Sequence, residues 1–90
     1  MKLLDMKLSI VYKVLKALSE KERLLVTEAI AIAGTSTFHQ RYLPYLEKKG
    51  YLVSEKLQIG RKGVRYIKLT DKGRKLLDLL EEIQKIDSGD

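Results

Sequence analysis

The sequence predicts a small α+β domain, mainly helical, in which a three-helix core carries a two-stranded hairpin and a closing C-terminal helix. Three observations predict it. Apolar residues recur at helical spacing in four segments, and two β-branched and aromatic runs flank the short glycine-bounded loop GRKG. Threonine or serine caps and glycine stops mark the joins between them. Ninety residues make a single domain, residues 1–90, with room for one core.

Each element follows from its own residues. In LSIVYKVLKALS, residues 8–19, Leu8, Val11, Leu15 and Leu18 share one helical stripe, with Tyr12 and Val14 beside it and Lys13 and Lys16 elsewhere. Leu3, Leu4 and Met6 precede this helix and allow an earlier start. Leu24, Leu25 and Val26 form an apolar run suited to a brief strand. Thr27 is the expected N-cap of the next helix, with Glu28 in the first turn, where the helix dipole favours a negative charge. That helix, TEAIAIA, stops at Gly34, and Thr35 or Ser36 caps a third helix running to Lys49. Two helices around a tight glycine-containing turn form a helix-turn-helix candidate. Gly50 suits the position just past the third helix. The segments YLVSEKLQI and VRYIKLT then flank GRKG as a β-hairpin with Arg61 and Lys62 at its tip. Thr70 caps the final helix, residues 70–86, in which Gly73 is a weak point.

Pro44 falls inside the third helix, in QRYLPYLEKKGYL. A proline in a helix interior removes a backbone hydrogen bond and costs about 3 kcal/mol. If residues 36–49 form one helix, Phe38, Tyr42, Leu43 and Leu46 make its buried face. Thr37, Gln40, Arg41, Pro44 and Lys48 then lie on the opposite face. The proline ring therefore spares the core, and the freed Gln40 carbonyl meets solvent or a partner. The expected result is a bent but continuous helix, convex on its outer side.

Charge is polarised along the chain. From Lys56 to Lys75 eight basic residues face one acid, Asp71, whereas from Leu76 onward one base, Lys85, faces five acids. A surface tuned for solubility intersperses the two signs, so a polyanionic partner is expected. The chain has no cysteine, which excludes disulfides and thiolate metal sites, and its one histidine leaves no imidazole cluster. No cofactor is expected, and His39 has no nucleophile or carboxylate beside it at helical spacing, so no enzymatic activity is expected. No apolar run approaches the roughly 18 residues of a membrane span, and no signal-peptide pattern opens the chain. The expected location is the cytoplasm. The lack of Asn, Cys and Trp beside abundant Lys and Glu points to a hot habitat.

The order of helix, short strand, two helices, hairpin and helix is the winged helix-turn-helix order. In LEKKGYLVSE, followed by GRKGVRYIKLTDKGRKLL, the chain resembles winged-helix transcription regulators of the MarR and PadR type. Leu46, Glu47, Gly50, Tyr51 and Leu52 match their recognition-helix ending, and Leu69, Thr70 and Gly73 match the motif after their wing. The segment QRYLPYL is similar to the recognition helix of small archaeal winged-helix proteins that dimerise through a long C-terminal helix. The resemblance implies double-stranded DNA as partner, with the third helix in the major groove. Gln40 and Arg41 are residue types that read adenine and guanine edges, and Ser36, Thr37, His39 and Lys48 complete the contact surface. Arg61, Lys62 and Arg65 would serve the wing, in a minor groove or on phosphate. The tyrosines are not spaced as a base-stacking platform for single-stranded RNA.

Leu76, Leu77, Leu79, Leu80, Ile83 and Ile86 cover too wide an arc of the last helix for one intrachain contact. A two-fold homodimer is expected, with Leu76, Leu79, Leu80, Ile83 and Ile86 at its interface. Two alternatives to a sequence-specific regulator stay open: a protein-interaction module, and a sequence-neutral chromatin protein. The sequence names no effector, operator or direction of regulation.

Overall fold

The computed structural model describes residues 6–88. Helix α1 (Leu8–Glu20) is followed by strand β1 (Leu24–Leu25) and helix α2 (Val26–Ala33). A π-helical turn (Phe38–Tyr42) then runs directly into α3 (Leu43–Lys48). Strands β2 (Leu52–Ile59) and β3 (Lys62–Leu69) form the hairpin, and α4 (Asp71–Ser88) closes the domain. The three strands make one antiparallel sheet in the order β1-β3-β2.

Described helix begins at Leu8, with Lys7 still extended, so Met6 does not join it; Leu3 and Leu4 lie outside the described residues. Val11, Val14, Leu15 and Leu18 of α1 are buried at the centre of the core, as their spacing predicts. Packed against them are Leu24, Ala29, Phe38, Leu43, Leu46, Leu52, Ile67 and Leu77. A helix as short as the 8-residue α2 is held by tertiary packing, through its buried Val26, Ala29 and Ala33, and not by its own propensity.

The expected cap of α2 is displaced. Val26 is already helical, so Thr27 lies inside the helix and Leu25 holds the cap position. Glu28 does the capping instead, accepting a hydrogen bond from the Leu25 backbone N–H at 3.1 Å. Leucine has no oxygen to return that bond, so half of a capping box is made. The strand keeps Leu24 and Leu25, which pair with Ile67 and Tyr66.

The junction between α3, the hairpin and α4 is built around the Tyr51 carbonyl. Gly50, at φ 82°, ends α3, and the Tyr51 N–H reaches back to the Leu46 carbonyl at 2.9 Å. Thr70 caps α4 as expected, its hydroxyl oxygen accepting from the Gly73 N–H at 3.0 Å. The same hydroxyl donates to the backbone, 2.5 Å from the Gly50 carbonyl and 3.0 Å from that of Tyr51. Gly73 is not a weak point but a requirement. A Cβ there would stand 2.1 Å from the Tyr51 carbonyl oxygen and 2.7 Å from Leu69 Cδ1.

α4 packs along α1 through Leu76, Leu77 and Leu80, and Lys16 meets Glu81 at 3.6 Å. Leu76 and Leu80, expected at a dimer interface, are 8% and 7% exposed within the single chain. They belong to its own core and have little surface left for a partner. Leu79, Ile83 and Ile86 are 57%, 56% and 78% exposed.

Candidate nucleic-acid interface

The third helical segment carries the candidate contact surface, and its start is fixed by Thr35, whose hydroxyl accepts from the Thr37 N–H at 3.2 Å. Phe38 and Tyr42 follow one turn apart, their ring centroids separated by 6.1 Å. Both are buried with Leu43 and Leu46, as expected. Tyr42 is tied to α1 as well, its hydroxyl accepting from the Lys7 backbone N–H at 3.0 Å. These anchors leave Ser36, His39, Gln40, Arg41, Pro44 and Lys48 exposed. Thr37 departs from the expected outer face. It is half-buried and lines a hollow between α1 and the turn after α2.

The path of the helix explains how Pro44 is accommodated. Instead of a bend at the proline, the chain takes one wide turn just before it, in which the Leu43 N–H bonds the Phe38 carbonyl five residues back. α3 then starts afresh at Leu43, and Pro44 falls in its first turn, where a missing N–H leaves no helical bond unmade. The segment is continuous, but the device is a π-turn rather than a kinked α-helix.

The hairpin tip is tighter than expected. Ile59 pairs with Lys62, so the turn consists of Gly60 and Arg61 alone. Gly60 has φ 61° and Arg61 does not have positive φ, the pattern of a type II′ turn with glycine first. Lys62 therefore sits in β3. Successive strand residues alternate faces, and the cross-strand pairing of Lys56 with Arg65 puts those two on the face that also carries Ser54. Lys62, Val64, Tyr66 and Lys68 lie on the other face. There, Lys68 meets Glu55 at 3.1 Å and the Arg23 guanidinium stacks over Tyr66 at 4.4 Å.

Arg65 is not the free cation the sequence suggests. Its Nη2 donates to both Glu47 carboxylate oxygens, at 2.8 and 3.1 Å, and to Ser54 Oγ at 3.1 Å. Ser54 Oγ in turn donates to Glu47. This knot ties the C-terminal end of α3 to the base of the hairpin. It also identifies which hairpin face adjoins the recognition helix, and Lys56, not picked out in the sequence, lies on it. The Lys56 side chain lies across Gly63 and has no hydrogen bond or ion pair among the described residues. The signal that could have found it is the strand period of two, counted outward from Ser54.

Gln40, Arg41, Lys48 and Arg61 likewise have no side-chain partner among the described residues. A recognition helix with a polar outer face, set after a tight helix–turn, beside a hairpin with a cationic tip, defines the winged class of helix-turn-helix domains. The chain belongs to the winged helix-turn-helix family, whose sequence profile matches residues 6–88. No curated protein matches the sequence. The family fold is a DNA-binding one, and among the described residues no helix is long and apolar enough to cross a membrane.

Proposed function

We propose that the protein is a sequence-specific, double-stranded DNA-binding transcription regulator of the MarR/PadR type, acting as a homodimer. The observation that carries this reading is the outer face of the third helical segment. Gln40 and Arg41 stand exposed and unpaired there, over a fully buried inner face. Gln matches the adenine N6/N7 edge and Arg the guanine O6/N7 edge, each well-formed pair giving about 1–3 kcal/mol of discrimination. Ser36, His39 and Lys48 flank them as phosphate contacts. Arg61 reaches the flanking groove from the hairpin tip, with Lys56 on the recognition-helix side. The exposed Leu79, Ile83 and Ile86 of α4 favour a second copy of the chain as partner.

Selection of bound sequences from a random duplex pool tests the proposal. The expected outcome is an enriched motif whose affinity falls steeply with salt, as released counterions require. Enrichment of nothing, with salt-dependent binding retained, would instead describe a sequence-neutral chromatin protein. Absence of duplex binding would leave a protein-interaction module.

A further inference from the structure

A hollow of about 290 Å³ lies between the start of α1 and the helix-turn-helix turn, lined by Lys7, Ile10, Ala33, Gly34, Thr35, Thr37 and Tyr42. Its polar side chains are donors. The Tyr42 hydroxyl belongs to a residue only 7% exposed and already accepts from the Lys7 N–H. Its own hydrogen has no acceptor among the described residues. Thr35 Oγ1 accepts from the Thr37 N–H, which leaves its hydrogen to donate outward. The Thr37 hydroxyl makes no hydrogen bond among the described residues, and Lys7 adds a cation at the rim. Among the described residues no carboxylate lines the space. A single water occupies about 30 Å³ of liquid, so the hollow has room for a tetrahedral oxyanion.

We infer that this hollow is a phosphate-binding site that seats one DNA backbone phosphate beside the major-groove contact of Gln40 and Arg41. Three hydroxyl-bearing residues and a lysine are among those lining the space, and a phosphate offers unprotonated oxygens to each kind of donor. The hollow opens next to Ser36 and Thr37, at the start of the recognition segment. A phosphate held there would fix the register of that segment without reading a base. It would also give the Tyr42 hydroxyl a second use, its hydrogen donating to the phosphate while its oxygen accepts from the Lys7 N–H. The inference rests on the DNA-binding reading above.

The test uses the whole chain. Affinity for a selected duplex and for random duplex is measured against salt for the unmodified protein, Lys7→Ala, Thr37→Val and Tyr42→Phe. Lys13→Ala, an exposed lysine of α1 that does not line the hollow, is the control. Thermal unfolding of each variant establishes that it is folded at the assay temperature. Lys7→Ala is expected to weaken both duplexes by the same factor and make the slope of log affinity on log salt shallower by about one. Thr37→Val should weaken both duplexes equally with little change in slope, since it removes a donor and not charge. Tyr42→Phe should do the same, with the loss of its bond to the Lys7 N–H read separately from thermal unfolding. Unchanged affinities in folded variants would overturn the site while leaving the DNA reading intact. Loss of all duplex binding by the unmodified protein would overturn both. Titration of the unmodified protein with inorganic phosphate, followed by amide chemical shifts, separates the sources. Shifts at Thr35 and Thr37 without any effect of the variants on DNA would assign the hollow to a free phosphate ester and overturn its role on the backbone.

Discussion

Gly73 illustrates how a single missing side chain can determine where an element sits. Its Cα lies so close to the Tyr51 carbonyl that any Cβ would overlap backbone, which cannot swing aside as a flexible side chain does. Gly73→Ala in most exposed helices gains about 1 kcal/mol of propensity. Here it is expected to destabilise by about 3 kcal/mol or more, at or above the usual range for overpacking, because α4 must move off the hairpin. Urea unfolding measures this, and a variant as stable as the unmodified protein would show that the close approach is not kept in solution. The pattern of Leu69, Thr70 and Gly73 was legible in the sequence, and so was the Thr70 cap, because both are local. The reason for the glycine was not legible, since it depends on a carbonyl more than twenty positions away. Gln40 and Arg41 give the complementary case of side chains with no structural duty. Replacing either with alanine should change stability by no more than about 0.5 kcal/mol while relaxing preference at individual base pairs. Marked destabilisation by either would mean that the outer face is turned inward.

At the scale of elements, faces were easier to read than registers. The buried set Phe38, Tyr42, Leu43 and Leu46 follows from spacing alone, but the π-turn that joins its two halves does not. It arises because apolar anchors on both sides fix the chain while Pro44 forbids an unbroken α-helical ladder. A proline in the first turn of a helix costs little, so Pro44→Ala is expected to raise stability by well under the roughly 3 kcal/mol of an interior proline. A gain near 3 kcal/mol on thermal unfolding would place the proline in a true helix interior. The hairpin shows the same limit: strands were evident, but the symmetric GRKG concealed a two-residue turn. That one-position difference sends Lys62 to the far face and leaves Lys56 on the near one. Lys56→Ala should therefore make the salt slope of duplex binding shallower by about one, and Lys62→Ala should change it less. Arg65→Ala removes an exposed ion pair worth at most about 1 kcal/mol, so its main effect should be a looser hairpin and not lost core stability. Equal slopes for Lys56 and Lys62 variants would show that both hairpin faces meet the backbone.

For the whole molecule, the decisive feature is the far side of α4. The helix was expected to be over-supplied with leucine, and the surplus is real but smaller than spacing suggested. Leu76 and Leu80 turn inward onto the chain's own core, while Leu79, Ile83 and Ile86 remain exposed at spacings of four and three. Spacing could not divide the arc, because which side of α4 meets the core depends on how its start docks on the hairpin, through Thr70 and the close approach of Gly73 to Tyr51. Charge adds an orientation. The start of α4 carries Lys72, Arg74 and Lys75 against Asp71, and the rest of it Asp78, Glu81, Glu82 and Asp87 against Lys85. Two copies in antiparallel alignment place the basic start of each beside the acidic end of the other, an arrangement that a two-fold axis across the helix satisfies. The proposed dimer thus predicts two distinct mutant behaviours. Leu79→Glu with Ile83→Glu alters surface positions, so the protein should stay folded and sediment as a monomer of 10.4 kDa. Leu80→Glu buries a charge in the core and should unfold the chain. The folded monomer should still bind a single half-site but lose its preference for two half-sites about 34–36 Å apart. Sedimentation of the unmodified protein at micromolar concentration comes first, and a monomer mass there removes the dimer from the proposal. If the dimer is present but Leu79→Glu with Ile83→Glu leaves it intact, the interface lies elsewhere, and the exposed stripe of α4 is free for a different partner.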